Sequence, residues 1–173
     1  MDNKDDLAAI PGLLERLQPG FLPQAIFHAV ARLVVTPTFV VIPLFHCDEK
    51  TSVYLVRRDV DDPHYANLLH TPGTVILATE ESLNETYRRL TRTELRELQL
   101  KGAPVFVDVF YDQINRGREI SLVHWAALEG EGDRDGLYDS AALPTDIVPT
   151  DIPRIEKAVS HFRRQNGLEV AGP

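Results

Sequence analysis

Apolar and polar positions change their spacing several times along the chain, and each change marks a predicted element. Residues 27–35 ("FHAVARLVV") and 38–45 ("TFVVIPLF") are nearly continuous apolar runs rich in β-branched residues, which predicts strands interrupted at Thr36-Pro37 and at Pro43. Proline cannot donate to a ladder, so these strands are expected at sheet edges or bulges. The polar "HCDEKTS" (46–52) reads as a hairpin loop, because "VYLVRR" (53–58) resumes a strand pattern. Residues 59–71 are polar and contain Pro63, hence a loop, and Pro72-Gly73 marks a turn. Leu83, Tyr87, Leu90 and Leu98 recur at helical spacing and predict a helix over 83–98, with Ser82 as its cap, Glu85 as the capping-box partner, and Gly102 and Pro104 ending it. Two further strands, 105–113 and 118–130, flank the turn "NRG" (115–117) and form a hairpin. A last helix over 152–164 follows from Ile155, Val159 and Phe162.

At the N-terminus, Pro11-Gly12 breaks any long helix, leaving "LLERL" (13–17) as a short one, and "QPGFLPQ" (18–24) reads as a linker or turn. The expected organisation is an N-terminal extension over 1–24, one domain over 25–165 and a tail over 166–173. Strands, helix, strands, helix in that order indicate an α/β fold of the α+β kind rather than a regular parallel sheet. A length of 173 residues suits one sizeable core, and 43% hydrophobic with 25% charged residues lies in the ordinary globular range.

Charge narrows the partners. A formal net charge of -8 argues against binding long nucleic acid through its phosphates, which needs clustered Lys and Arg. A small phosphorylated ligand held locally is compatible with it. Cys47 is the single cysteine, so no internal disulfide forms, and the acidic start "MDNKDD" has no signal-peptide pattern. The longest apolar run, 39–45, is far short of a membrane span. The expectation is a cytoplasmic protein without a membrane partner.

The segment that carries chemistry is "PGTVILATEESLNETYRRLTRTELRELQL" (72–100), a glycine turn, a loop and a helix bearing several carboxylates. Glu80, Glu81, Glu85, Glu94 and Glu97 either gather on a metal or form a solvated face paired with Arg88, Arg89, Arg92 and Arg96. Arg57 and Arg58 either meet a ligand phosphate or are plain surface. Tyr65, His70, Trp125 and Tyr138 either line a pocket that stacks a base or belong to core and rim. "HCDE" (46–49) is rich in ligating atoms but has no second cluster to complete a metal site.

Over roughly residues 25 to 165, the order of elements resembles the Nudix hydrolase family. "YLVRR" (54–58), "LLHTPGT" (68–74) and "EESLNETYRRLTRTEL" (80–95) are similar to that family's run from an "LLVRR"-like strand through W-x-x-PGG into its box helix. "GLYDSAALPTDIVPTDIPRIEKAV" (136–159) is similar to the segment in which an aromatic and an acidic residue precede "LP" and a final helix. The family box reads G-x5-E-x7-R-E-U-x-E-E-x-G-U. With Glu81-Ser82 on the "ES" of its usual "GES", Arg89 falls on the box arginine, Leu90 on the first helix glutamate, Thr93 on the second, Glu94 on the third and Arg96 on the closing glycine. Thr74 replaces the second glycine of PGG and lies one residue too far from Glu81. A register shifted by one turn puts Glu94 and Glu97 on the first two carboxylate places and Leu98 on the third, at the cost of the arginine.

The resemblance implies a mixed β-sheet sandwiched between α-helices and a nucleoside diphosphate linked to another moiety as substrate or ligand. It implies Mg²⁺ or Mn²⁺ at Glu94 with Glu81 and Glu85, weakly held because two of three box carboxylates are missing, and Arg89 and Glu94 as the catalytic pair. Arg57, Arg58, His70 and Gly73 would contact the ligand, a general base would come from Glu129, Glu131, Asp133 or Asp135, and a homodimer is the oligomer the family often shows. Two functions follow: a metal-dependent diphosphate hydrolase, or a catalytically silent domain binding a ligand or protein partner through the same cavity.

Overall fold

Strand β1 (Thr36–Cys47) organises the computed structural model, which describes residues 3–130 and 134–168. Its run from Thr38 to Leu44 is buried throughout, as a strand covered on both faces must be. It follows α1 (Asn3–Leu14) and α2 (Gln24–Ala31) and leads through a tight turn into β2 (Lys50–Tyr54). The chain continues through β3 (Val56–Arg57), β4 (Leu69–His70), β5 (Gly73–Val75), α3 (Leu83–Thr93), β6 (Leu100–Ile114), β7 (Gly117–Leu128), β8 (Leu137–Asp139) and α4 (Asp151–Gln165). The main sheet runs β6-β7-β1-β2-β8, with β5 also on β1, and β3 pairs β4 separately. β1 and β7 are parallel while every other pair is antiparallel, so the sheet is mixed.

Alternation along β1 sorts the core into two layers. Val40, Ile42 and Leu44 pack with Val123, Trp125, Ile155, Ala158 and Phe162 beneath α4. Phe39 and Val41 pack with Leu90, Leu95 and Ala126 beneath α3. The expected sheet between helices is therefore what the chain forms. No helix among the described residues is long and apolar enough to cross a membrane.

Several local expectations are corrected. Of residues 27–35, read as strand, 27–31 belong to α2, where the short apolar run carries no period-two alternation, and 32–35 connect it to β1 without strand structure. β1 is central, not an edge, despite Pro37 and Pro43. The edge of β1 away from β7 is shared, with β5 pairing 38–40 and β2 pairing 44–47. Val41 N–H donates to Pro72 O on that side, and Pro43, two residues on, points its missing N–H into the gap between the two partners. Pro72-Gly73 opens strand β5 rather than making a free turn. α3 ends at Thr93, five residues early, and Gly102 and Pro104 lie inside β6, where register shifts mark bulges. α1 runs through Pro11. Ser82 caps α3 without a side-chain bond, and Glu85 accepts from the N–H of Glu81 instead.

α2 is seated by a backbone approach. Gly117 has φ +143, and a Cβ there would collide with the carbonyl oxygen of Ala31 and lie 3.2 Å from Arg32 Cα. Arg116 stacks over Phe27 at 5.6 Å, and His28 lies 4.9 Å from His64. Gly117→Ala adds both strain and the collision, so it is expected to lower stability by about 2 kcal/mol or more in urea unfolding. Gly12→Ala, with nothing near its Cβ, should stay within roughly 0.5 kcal/mol of wild type.

Candidate functional site

The loop between β5 and α3 is held by one guanidinium. Arg89 projects from α3 and donates to Glu80 Oε1 at 2.7 Å, Glu80 Oε2 at 3.1 Å, Thr74 Oγ1 at 2.6 Å and Val75 O at 2.7 Å. Glu80 also accepts from Leu77 N–H at 2.9 Å and Thr86 Oγ1 at 2.7 Å. With the Arg89 guanidinium as the main cause, its carboxyl is held at about 2, well below the usual range. Phe21 covers Arg89 from the solvent side, its ring 5.2 Å from the guanidinium carbon. The partner of Arg89 is thus Glu80 rather than Glu85. The i, i+4 relation of Glu85 to Arg89 pointed elsewhere because loop closure, not helical spacing, brings Glu80 in.

Around this clip the carboxylate places hold other chemistry. Leu90 is fully buried among Phe39, Val41, Leu95 and Ala126. Thr93 spends its hydroxyl on the helix carbonyls of Arg89 at 3.1 Å and Leu90 at 3.3 Å. Glu94 accepts from Gly73 N–H at 3.2 Å, and burial pushes its carboxyl pKa up, against the lowering effect of that hydrogen bond. Glu81 is exposed at the far end of α3, where its N–H donates to Glu85 at 2.8 Å. Nine residues separate Glu85 from Glu94, roughly 13 Å of helix rise. No three His, Cys, Asp or Glu side chains among the described residues gather into a metal-sized group, "HCDE" included. One half-buried glutamate beside a leucine and a self-satisfied threonine does not fit a Mg²⁺ or Mn²⁺ centre for diphosphate cleavage.

A cavity of about 690 Å³ opens beside the clip, between α2, the start of β1, β5 and the first turn of α4. It gathers three of the expected ligand contacts, Arg58, His70 and Gly73, together with Tyr65. Arg58 is held by Asp62 at 2.6 Å and lies over the Tyr65 ring. His70 Nδ1 faces the carbonyl of Thr71 at 2.8 Å, which requires Nδ1 to carry the proton and leaves Nε2 as a bare acceptor. Burial first, then the charge of Arg58, lowers the His70 pKa to about 4, so the ring is neutral near pH 7.

The cavity floor is a buried ionic network. Arg154, 4% exposed, donates to Asp112 at 2.7 Å, Glu119 at 3.2 Å and Asp151 at 3.3 Å. Asp151 accepts from Thr71 N–H at 2.7 Å and Thr71 Oγ1 at 3.0 Å, tying α4 to the strand end that carries His70. Burial raises the Asp151 pKa, opposed by Arg154. The sequence named Glu80 among the helix carboxylates but not its place in the loop clip, and it did not reveal this network, for which the available signal was an acidic residue in the first turn of a helix at "PTDIPR" (149–154).

Other candidates lie elsewhere. Arg57, half exposed, pairs with Asp146 at 2.8 Å and does not line the cavity. Trp125 is in the core and donates to His161 Nδ1 at 2.9 Å, with Tyr138 packed against the same cluster. Glu129 and Asp135 are off the cavity wall, and Glu131 and Asp133 lie outside the described residues.

Glu80 supplies a pH test of the clip. Its folded pKa is depressed, so its stabilisation is present above about pH 4.5 and is lost as pH falls towards 2. Glu80→Gln should cost on the order of 2 kcal/mol near pH 7. The gap between variant and wild type in urea melts should close between pH 5 and about 2, whereas a gap independent of pH would contradict the ion pair.

No protein-family model and no curated protein matches this sequence. Solved structures do. The NUDIX domain of Shewanella oneidensis NrtR complexed with ADP ribose is 17% identical, with TM-score 0.56 over 82% of this chain and 99% of that one. Shewanella oneidensis NrtR is 18% identical with TM-score 0.59, over 75% of this chain and 64% of that one. A mutT/nudix family protein from Listeria innocua is 17% identical with TM-score 0.58, over 78% of this chain and 98% of that one. What these likenesses share with the layers described above is the architecture, and the chain has a Nudix-like fold.

Proposed function

We propose that this domain binds a small phosphorylated ligand of nucleotide type in the cavity beside β5 and does not cleave it by metal-dependent diphosphate chemistry. The observation that carries this reading is the pairing of a formed cavity, holding Arg58, His70 and Gly73, with a box helix that presents Leu90 and Thr93 where ligating carboxylates would be needed. A cavity of this size suits a small organic ligand. Arg58 supplies a charged donor, His70 Nε2 supplies a neutral acceptor, and the half-exposed Tyr65 ring offers a stacking face. The ADP-ribose held by the NrtR domain makes that molecule a reasonable first probe.

Arg89 and Glu94 take positioning roles in this reading. Arg89 holds the loop 74–80, and Glu94 holds Gly73 at the cavity wall. Arg89 is a cation spent on four acceptors, and Glu94 has no second and third ligating side chain gathered beside it among the described residues. Arg57 stays with Asp146 and contributes at most to the rim.

Calorimetry with ADP-ribose, nucleoside di- and triphosphates and nucleotide sugars, each with and without EDTA, tests the binding half. At least one should bind with affinity unchanged by EDTA, and both Arg58→Ala and His70→Ala should weaken it by about tenfold, the worth of one well-placed hydrogen bond. Absence of binding across the panel would overturn the ligand class. For the catalytic half, phosphate or nucleotide release with Mg²⁺ or Mn²⁺ should equal that of Glu94→Gln. Metal-dependent turnover that disappears in Glu94→Gln would establish the hydrolase reading instead.

A further inference from the structure

We propose that residues 18–22 form a movable wall of the cavity, latched by Phe21 on Arg89, and that opening of this strap governs entry to it. Pro19, Gly20, Phe21 and Leu22 all line the cavity. Among the described residues, no hydrogen bond links 18–22 to the body, although the main-chain bonds resume on both sides, at Leu17 and at Phe27. The strap meets the body through the Phe21 ring over Arg89 at 5.2 Å, with Gly20 turned towards the Thr79 methyl and Leu22 half-buried. Phe21 is otherwise 74% exposed, which is an unfavourable place for a phenyl ring unless the stack repays it.

The neighbouring roof behaves differently. α2 is fixed by the Gly117 approach, the Arg116–Phe27 stack and the His28–His64 contact. Hinge chemistry stands where the strap would turn. Gly20 sits at φ +126, a conformation that side chains resist, and Pro23 enters α2 from an extended backbone. Arg89 is the fixed post, since four hydrogen bonds hold it whether or not the ring is present. The strap therefore moves against a rigid frame, and the exposed cation–π contact weights it towards the closed position.

This inference rests on the ligand-binding reading for its purpose, but its test needs no ligand. Thr36 lines the cavity, is 5% exposed and is close to cysteine in size. In the full chain with Cys47→Ser, which removes the exposed native thiol, Thr36→Cys is labelled with 5,5′-dithiobis(2-nitrobenzoate) and the rate is followed by absorbance. Adding Phe21→Ala should speed labelling by about fivefold, the share of an exposed cation–π contact, with the urea unfolding constant raised by no more than about the same factor. Phe21→Trp, which keeps the stack, should label no faster than the parent. Equal rates in all three, or acceleration by Phe21→Trp as large as by Phe21→Ala, would overturn the latch. Either result leaves the calorimetric test of ligand binding standing on its own.

Discussion

The pairing of Arg89 with Glu80 is the interaction on which the site depends. It closes a loop that has almost no secondary structure of its own, and it fixes Thr74 and Val75 against the first turns of α3. Because Glu80 is nearly buried and accepts from Leu77 N–H and Thr86 Oγ1 as well as from Arg89, losing either partner would strand a charge and several polar groups in a poorly hydrated place. The loop in turn sets one wall of the cavity, and Phe21 closes on the outer face of the same guanidinium. A residue whose counterpart in the resemblance orients catalytic carboxylates here clips a loop through Glu80, Thr74 and Val75.

The second constraint is burial at Leu90. Once that position faces Phe39 and Val41 in the lower layer, it cannot also present a carboxylate to solvent and metal. Thr93 and Glu94 follow the same logic, the first satisfied within its helix and the second turned onto Gly73. The sheet, the clip and the cavity persist without the donors. Fold and chemistry separate cleanly here, and the activity has to be argued from the side chains.

Much of the architecture was legible in the chain. β1 and the β6–β7 hairpin announce themselves by long apolar runs, and α4 by clear helical spacing. The misreadings fall where tertiary contacts override local pattern. α2 reads as a strand because its apolar run is short and nearly continuous, and Pro43 of β1 is tolerated because β5 and β2 divide that edge on either side of it. The site was half legible. Arg58, His70 and Gly73 were identifiable from the resemblance, and they do meet at one cavity. The Arg154 network was not, since Asp112, Glu119 and Asp151 come together only when β6, β7 and α4 pack.

The central claim, a Nudix-like fold with a clip and cavity whose described residues gather no carboxylate set for a divalent metal, is tested most directly by Mn²⁺ titration followed by electron paramagnetic resonance on the full chain. The account predicts no stoichiometric site with a dissociation constant below about 1 mM, the weak binding left to isolated carboxylates. A single micromolar site lost in Glu94→Gln would contradict it.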